Sequence, residues 1–265
     1  MVIDFHTHCF PNALAPRAME RLAAGSQYPP QLNGTLSDLK GSMDRAGIDV
    51  SVVLHIATNA AQTPKVNDFA IAINDNERIV SFGSVHPDHG DIGGELARLR
   101  AAGIRGLKFH PDFQDFDVDD KRMYAIYEKA AALGFIMLFH CGCDLDVRMK
   151  YRCTPERFAR VARDFRSAAI VGAHLGGQAM WDDVLRYTVG QDVYLDTSYA
   201  FGWLSDAQLS EVLARHDPRK LLFGTDSPWA EQKADVDMMR RRIGDTQLFD
   251  KIMGENAARL LGSFI

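Results

Sequence analysis

The sequence predicts a single α/β domain over residues 1–265, folded as a (β/α)8 TIM barrel. Short apolar or β-branched runs alternate with amphipathic stretches along the chain, which is typical of βαβ units around a parallel sheet. There are eight such runs, and eight strands close a barrel. No G-x-G-x-x-G turn follows the first run, which disfavours a doubly wound sheet. A chain of 265 residues with 46% hydrophobic content can also build one large core.

The predicted strands begin close to Met1 and recur to the end of the chain. In order they are Ile3 to His8, Val52 to Ala57, Val80 to Val85, Gly106 to His110, Phe135 to His140, Ile170 to His174, Val193 to Thr197 and Leu221 to Thr225. Helical spacing of apolar residues predicts helices over Glu95 to Ala102, Lys121 to Leu133 and Pro155 to Phe165. Helix ends are predicted by Asp119 and Thr154 as N-caps and by Gly47, Gly103 and Gly134 as C-terminal glycines.

Charge and composition argue against several classes of function. The net charge is -5 and the sequence pI is near 6.0, and no dense Lys/Arg run carries interleaved aromatics, so nucleic acid is not an expected partner. No segment approaches the roughly 18 apolar residues of a membrane span, and no leader precedes the first strand. We therefore expect a cytoplasmic protein without a membrane partner. The four cysteines lack the spacing of a structural zinc site, and we expect reduced thiols without a role.

The most informative pattern is the type of residue that ends each strand. Histidine, lysine or aspartate follows the apolar run on five of them: His6 and His8 on the first, Lys108 and His110 on the fourth, His140 on the fifth, His174 on the sixth and Asp226 after the eighth. The carboxyl ends of all strands of a barrel meet around one mouth. These residues, distant in sequence, are therefore predicted to share one cavity.

Histidine nitrogens with one carboxylate are the ligands that zinc favours in catalytic sites. His6 and His8 alternate along an extended strand and so point the same way. We predict that these two, with His140 and Asp226, bind one divalent ion, zinc by preference, which activates a water molecule. Asp226 is also the predicted general base. His174 is predicted either to bind a second metal or to donate a hydrogen bond at the reacting centre.

The remaining polar residues of the predicted mouth have less specific interpretations. Lys108 either contacts the substrate, which we favour, or forms a carbamate that bridges two metals. His110 shares its face, and Arg148 lies in a basic loop that suits an anionic substrate. Trp203 and Trp229 are expected to offer a flat apolar wall. The other histidines are expected to be ordinary core, loop or solvated residues, the last group being His89 and His216.

These motifs together resemble the amidohydrolase superfamily, in its branch of compact metal-dependent hydrolases and decarboxylases. The matching segments are Asp4-Phe5-His6-Thr7-His8, Gly106-Leu107-Lys108-Phe109-His110-Pro111, Phe139-His140-Cys141-Gly142, Gly172-Ala173-His174-Leu175-Gly176-Gly177, Phe223-Gly224-Thr225-Asp226-Ser227-Pro228-Trp229 and the closing Gly254-Glu255-Asn256-Ala257-Ala258-Arg259-Leu260-Leu261. The resemblance implies a barrel with a metal on His6, His8, His140 and Asp226, and a catalytic His174. It also implies hydrolysis of amides, lactones or esters, or removal of carboxylate from aromatic acids.

We therefore predict a metal-dependent hydrolase that acts on a small carboxylated substrate. The first alternative is a non-oxidative decarboxylase. A nuclease of the TatD type is disfavoured, because such proteins carry a glutamate where this chain has Lys108. A metal-free barrel that only binds a ligand is the alternative from another class. A homodimer is expected on general frequency.

Overall fold

The computed structural model describes residues 1–26, 28–144 and 150–262, and in them eight strands alternate with helices. The strands are β1 (Ile3–Thr7), β2 (Val50–Leu54), β3 (Ile79–Phe82), β4 (Gly106–Phe109), β5 (Ile136–Phe139), β6 (Ile170–Gly172), β7 (Tyr194–Asp196) and β8 (Leu221–Leu222). The helices are α1 (Ala15–Ala23), α2 (Leu36–Ala46), α3 (Thr63–Ile73), α4 (Ile92–Ala101), α5 (Lys121–Ala132), α6 (Pro155–Asp164), α7 (Trp181–Asp183), α8 (Asp206–Arg215), α9 (Gln232–Arg242), α10 (Thr246–Asp250) and α11 (Asn256–Leu261).

All strand pairs are parallel, and they close into a barrel. The ladders run continuously through β1, β2 and β3 and again from β4 to β8. Two isolated bridges, Gly83 with Leu107 and Thr7 with Ser227, join these two sets. At the junction between β1 and β8, the Phe5 N–H also donates to the Phe223 carbonyl at 2.8 Å. The predicted (β/α)8 barrel is confirmed.

The strands end earlier than the sequence predicts. His110, His140 and His174 were placed on strands, but the ladders end at Phe109, Phe139 and Gly172. The physical reason is clearest at His174, whose φ of 56° is left-handed and cannot continue a strand. The polar residues therefore begin the loops that leave the strands, which directs them into the mouth.

Four of the five predicted helix-end residues agree with the structure. The predicted start of α4 at Glu95 was wrong, because α4 begins at Ile92, where the Asp91 side chain accepts from the Gly94 N–H. Thr154 accepts a hydrogen bond from the Arg157 N–H at the start of α6, as predicted. Gly47, Gly103 and Gly134 have the positive φ expected after a helix. The prediction of Asp119 as the N-cap of α5 was wrong, because the neighbouring residue Asp120 accepts from the Arg122 N–H.

The hydrophobic core has two parts. One consists almost wholly of strand residues such as Phe5, Val52 and Leu138, with Ala257 and Leu261 of α11 packed against them. The other, larger part fills the space between the strands and the surrounding helices. Such packing holds the strand ends in fixed positions around the mouth. Within the described ranges, no helix is long and apolar enough to cross a membrane.

Candidate metal centre

The carboxyl ends of the strands surround a cavity of about 840 Å³. The predicted site residues that the structure describes all line it: His6, His8, Lys108, His110, His140, His174, Asp226 and Trp229. The remaining one, Arg148, lies outside the described residues. The barrel thus brings together residues from β1, β4, β5, β6 and β8, as the pattern of strand ends predicts.

Three of the predicted ligands converge on one point. His6 Nε2 lies 3.4 Å from Asp226 Oδ1, and His8 Nε2 lies 3.2 Å from the same oxygen. Their ligand atoms all fall within 4.8 Å of one another. His6 is fully buried, whereas Asp226 keeps 13% of its side chain exposed to the cavity. The group can therefore meet both a metal ion and a substrate.

Hydrogen bonds on the far side of each ring orient the two imidazoles. His6 Nδ1 donates to Asp196 Oδ2 at 2.8 Å, and His8 Nδ1 donates to the Leu54 carbonyl at 2.8 Å. Because a carbonyl only accepts, we assign the proton of His8 to Nδ1. The Nε2 lone pair then points at Asp226, as in metal sites whose ligand histidines are held by a carboxylate or carbonyl.

His140 lies apart from this group, in a neighbouring cluster. The His140 Nδ1 atom is 3.2 Å from His174 Nε2, and its ring stacks on His110 with the centroids 4.1 Å apart. His110, His140 and Asp144 form a second group of close ligand atoms. The bond to His174 and the stacking on His110 hold His140 in this second cluster. The four-ligand set thus stays a prediction, with three members gathered together.

The hydrogen bonds of His174 assign a proton to His140. His174 Nδ1 donates to the Ser198 carbonyl at 2.9 Å, so its Nε2 accepts from His140 Nδ1. The remaining nitrogen of His140, Nε2, is buried and has no hydrogen-bond partner among the described residues. A buried lone pair of this kind is costly unless a cation or a donor meets it.

Lys108 is buried beside the first group. The Lys108 side chain is 1% exposed, and its Nζ lies 3.2 Å from His6 Nε2. Burial lowers the pKa of this amine below its usual range, although the negative charges of Asp226 and Asp196 raise it in part. This position allows both of the predicted roles, because Nζ lies close to the reacting centre.

Burial favours the neutral form of three histidines, and charge on the histidines around Asp226 favours the ionised form of that acid. Burial lowers the pKa of His6, His110 and His140 well below the ordinary value. Burial alone raises the pKa of Asp226, but the neighbouring histidines outweigh it and bring that pKa to about 2. Asp226 is therefore a carboxylate at neutral pH and can accept a proton.

The backbone at the mouth is strained where these residues leave the strands. Leu175 and Tyr199 have φ of 57° and 48°, a left-handed region that such residues rarely adopt. His174 and Asp226, at 56° and 66°, belong to residue types that enter this region more often. Such strain persists only where surrounding structure over-determines it, and it is concentrated at functional sites. The strain supports a functional use of this mouth.

Several residues of the site were missed from the sequence. Asp196 lies near the end of the seventh predicted strand, Val193 to Thr197, and Ser198 directly follows it, and that position could have signalled their role. Three cationic residues on helices also line the cavity: Arg17 and Arg21 of α1 and Lys65 of α3. The spacing of four residues between Arg17 and Arg21 places both on one face of α1. The pattern of strand ends does not include helix residues, so it could not find them.

Two expectations about the other aromatic and histidine residues are corrected. His216 was predicted to be solvated, but it is 3% exposed, because its Nδ1 accepts a hydrogen bond from the Gly190 N–H. Trp203 does not line the cavity. It is 51% exposed and stacks on Tyr199, with the ring centroids 6.2 Å apart.

Comparison with known proteins shows the family of the chain. The family model described as amidohydrolase matches residues 3–263. The chain belongs to the amidohydrolase family. No curated protein matches it.

Solved structures show the same fold at low sequence identity. The chain is similar to 5-carboxyvanillate decarboxylase from Sphingomonas paucimobilis, with a TM-score of 0.75, 16% identity and 98% of each chain covered. It is similar to dihydroxybenzoic acid decarboxylase from Polaromonas sp. JS666 with bound manganese and an inhibitor, 2-nitroresorcinol, with a TM-score of 0.73, 15% identity and 98% and 96% covered. It is also similar to a probable 2-pyrone-4,6-dicarboxylic acid hydrolase from Acinetobacter baumannii with citric acid bound. The TM-score is 0.67, the identity is 14%, and 98% of this chain and 99% of that chain are covered.

Proposed function

We propose that this amidohydrolase is a metal-dependent hydrolase of a small carboxylated amide, lactone or ester. The observation that carries the proposal is the convergence of His6 Nε2, His8 Nε2 and Asp226 Oδ1 within 4.8 Å, each ring turned by a hydrogen bond at Nδ1. His8 Nε2 faces Asp226 Oδ1 at 3.2 Å, and two facing lone pairs repel unless a cation or a proton lies between them. His6 Nε2 lies 3.4 Å from the same oxygen and 3.2 Å from Lys108 Nζ. Imidazole nitrogens with a carboxylate oxygen are the donor set of a catalytic divalent ion.

The residues present fit such an ion. His6, His8 and Asp226 would hold it, with His140 as the fourth ligand, whose buried Nε2 has no hydrogen bond among the described residues and lies 3.6 Å from Asp144 Oδ2. Zinc suits these donors, and the similar structure that carries manganese shows that a related barrel accepts another divalent ion. A divalent ion there supplies Lewis-acid chemistry and brings the pKa of a bound water toward neutrality.

The side chains around the ion have separate tasks in hydrolysis. Asp226, a carboxylate with a pKa near 2, accepts the proton that the attacking water loses. His174 is oriented by the Ser198 carbonyl and presents Nε2 to His140, so it positions that ligand and can pass a proton. Lys108, at the floor of the cavity, donates a hydrogen bond to an anionic group of the substrate.

Decarboxylation is the second candidate, because two of the three similar structures are decarboxylases of aromatic acids. In that reaction a carbon–carbon bond breaks, carbon dioxide leaves and a proton is added to the ring carbon. A carboxylate with a pKa near 2 holds no proton to give at neutral pH. The proton would then pass through His174, which shares a hydrogen bond with His140 at Nε2.

The reaction is tested by incubating the protein with candidate lactones and with hydroxybenzoates, then measuring acid formation and carbon dioxide release. We expect acid formation from a lactone that carries a carboxylate. Release of carbon dioxide without addition of water would replace hydrolysis with the lyase reaction.

The metal site is tested on protein purified without a chelator. We expect about one equivalent of a divalent ion by elemental analysis, and a sharp fall in the His6→Ala, His8→Ala variant. A His89→Ala variant, at a histidine outside the cavity, serves as the matched control. Unchanged metal content in the double variant would remove both ligands from the proposal.

A further inference from the structure

One face of α1 forms part of the cavity wall and carries two arginines. Leu14, Arg17, Ala18, Arg21 and Leu22 line the cavity. Their spacing of three and four residues places them on one side of the helix. Ala15 and Met19, which alternate with them, are buried against the rest of the protein. The two arginines are therefore held toward the cavity by the packing of the helix.

A second helix contributes a matching wall. Gln62, Lys65, Val66 and Phe69 at the start of α3 line the same cavity at helical spacing. Thr63, Asn67 and Ala70 are the buried residues that fix this helix. Lys65 is exposed, as are Arg17 and Arg21, whereas His6 and Lys108 are fully buried. The three cations thus lie toward the open mouth, and the candidate metal ligands lie at the floor.

These three cations have no acidic partner among the residues that the structure describes. The two carboxylates that line the cavity already face histidines: Asp226 faces His6 and His8, and Asp144 lies 3.0 Å from His110. Like charges four residues apart on a helix destabilise it, so Arg17 and Arg21 repel each other when no anion is bound. Although the chain has a net charge of -5, all three cations line the same cavity.

Apolar side chains that are neither fully buried nor fully exposed also line the cavity. Leu22 comes from α1, Val66 and Phe69 from α3, and Trp229 from the loop after β8. Flat and branched surfaces of this kind suit a planar carbon skeleton. A cavity of about 840 Å³ also lies within the range that holds a small organic ligand.

We propose that Arg17, Arg21 and Lys65 form a second anion subsite, which binds a carboxylate of the substrate remote from the reacting group. The substrate is then an extended dianion whose apolar middle spans the cavity between the mouth and the metal ligands. Guanidinium groups bind carboxylates through paired hydrogen bonds, which gives the mouth a preference for this group. This inference rests on the proposed function, since it places the reacting end of the substrate at Asp226.

The test compares the binding of dicarboxylates with that of monocarboxylates by calorimetry, using the metal-loaded protein as purified. The probes are benzoate with benzene-1,3- and benzene-1,4-dicarboxylate, and biphenyl-4-carboxylate with biphenyl-4,4′-dicarboxylate. We expect at least one dicarboxylate to bind roughly 10-fold more tightly than its monocarboxylate, as charge-assisted hydrogen bonds would give. Equal affinity within every set would overturn the proposal.

Substitution then locates the preference. In an Arg17→Gln, Arg21→Gln, Lys65→Gln variant the preference for the dicarboxylate should disappear. The Arg17→Lys, Arg21→Lys variant should keep part of it, because the charges remain. The matched control is Arg45→Gln, Arg163→Gln, two exposed arginines outside the cavity on α2 and α6. Retention of the full preference in the triple variant, with unchanged thermal unfolding, would also overturn the proposal.

Failure of the proposed function has a different signature. Metal content and turnover report on His6, His8 and Asp226, while the affinity ratio reports on the mouth. A protein that binds dicarboxylates more tightly through Arg17, Arg21 and Lys65 but lacks metal would retain the subsite and lose the proposed hydrolysis. A metal-loaded, active protein without a preference for dicarboxylates would retain the proposed hydrolysis and lose the subsite.

Discussion

For single residues, the partner of each Nδ1 atom decides what the opposite nitrogen can do. His6 depends on Asp196, His8 on the Leu54 carbonyl and His174 on the Ser198 carbonyl. The bonds at His6 and His8 leave Nε2 lone pairs aimed at Asp226, whereas the bond at His174 leaves an Nε2 lone pair that accepts from His140. The same residues therefore set both the orientation and the protonation of the candidate metal ligands.

Asp196 offers a direct test, because it is fully buried and holds His6 at 2.8 Å. An Asp196→Asn substitution keeps the size but removes the charge that stabilises the Nδ1 proton. Loss of such a partner commonly costs about 10–100-fold in metal affinity. We expect a decrease of that size in competition with a chelator dye.

Asp192→Asn is the matched control for this substitution, since Asp192 is exposed and pairs with Lys220. Its metal affinity should equal that of the wild type. If Asp196→Asn binds metal as tightly as this control, the hydrogen bond at His6 Nδ1 does not support the centre.

The histidines at strand ends could be predicted because the period of a strand and the shape of a barrel fix where they point. The position of His140 could not be predicted, because it depends on the hydrogen bond between its Nδ1 and His174 Nε2. That bond joins two loops that are distant in sequence. Arg17 and Arg21 were not predicted as site residues for a different reason. Their role follows from the way α1 packs over the mouth, which no local pattern in the sequence specifies.

At the level of elements, the ends of the strands carry most of the site. Alternation of apolar runs gave the order of the strands, but β8 forms a ladder over only two residues, Leu221–Leu222. The predicted run continued to Thr225, because apolar and β-branched residues favour extension. Thr225 instead contributes a hydroxyl that donates to Asp4 at 2.6 Å, so contacts between side chains replace the ladder.

Gly142 shows how closely the loop after β5 must approach its neighbour. A Cβ at this residue would lie 2.1 Å from the Gln178 backbone nitrogen, and its φ is 86°. Gly134, before the same strand, has a φ of 72° but open space around a Cβ. We expect Gly142→Ala to destabilise the protein by about 1–3 kcal/mol more than Gly134→Ala, since both share the backbone strain and only one adds a clash.

Chemical denaturation of the two alanine variants measures that difference. Gly142 lies two residues after His140, so its displacement should also weaken metal binding, whereas Gly134→Ala should leave it intact. Equal destabilisation by the two substitutions would show that the loop can move away from Gln178 at little cost.

At the level of the whole molecule, the candidate metal ligands lie at the seam where the barrel closes. β1 and β8 share no continuous ladder, and the last contacts between them are bonds such as Asp226 N–H to the His6 carbonyl at 2.7 Å. His6 and His8 stand on one side of this seam and Asp226 on the other. A bound ion would therefore join the first strand to the last, and its removal would weaken the closure of the barrel.

This arrangement couples metal binding to global stability. An ion present at about 100 times its Kd adds about 2.7 kcal/mol to the free energy of unfolding. For a chain of this size, that corresponds to a decrease in Tm of about 5–10 °C when a chelator removes the ion. We expect one calorimetric transition both with and without the chelator, because a single barrel core should unfold as a unit.

The His6→Ala, His8→Ala variant should show no chelator effect. Two separate transitions would contradict the single domain predicted for residues 1–265, and an equal chelator effect in the double variant would place the stabilising ion elsewhere.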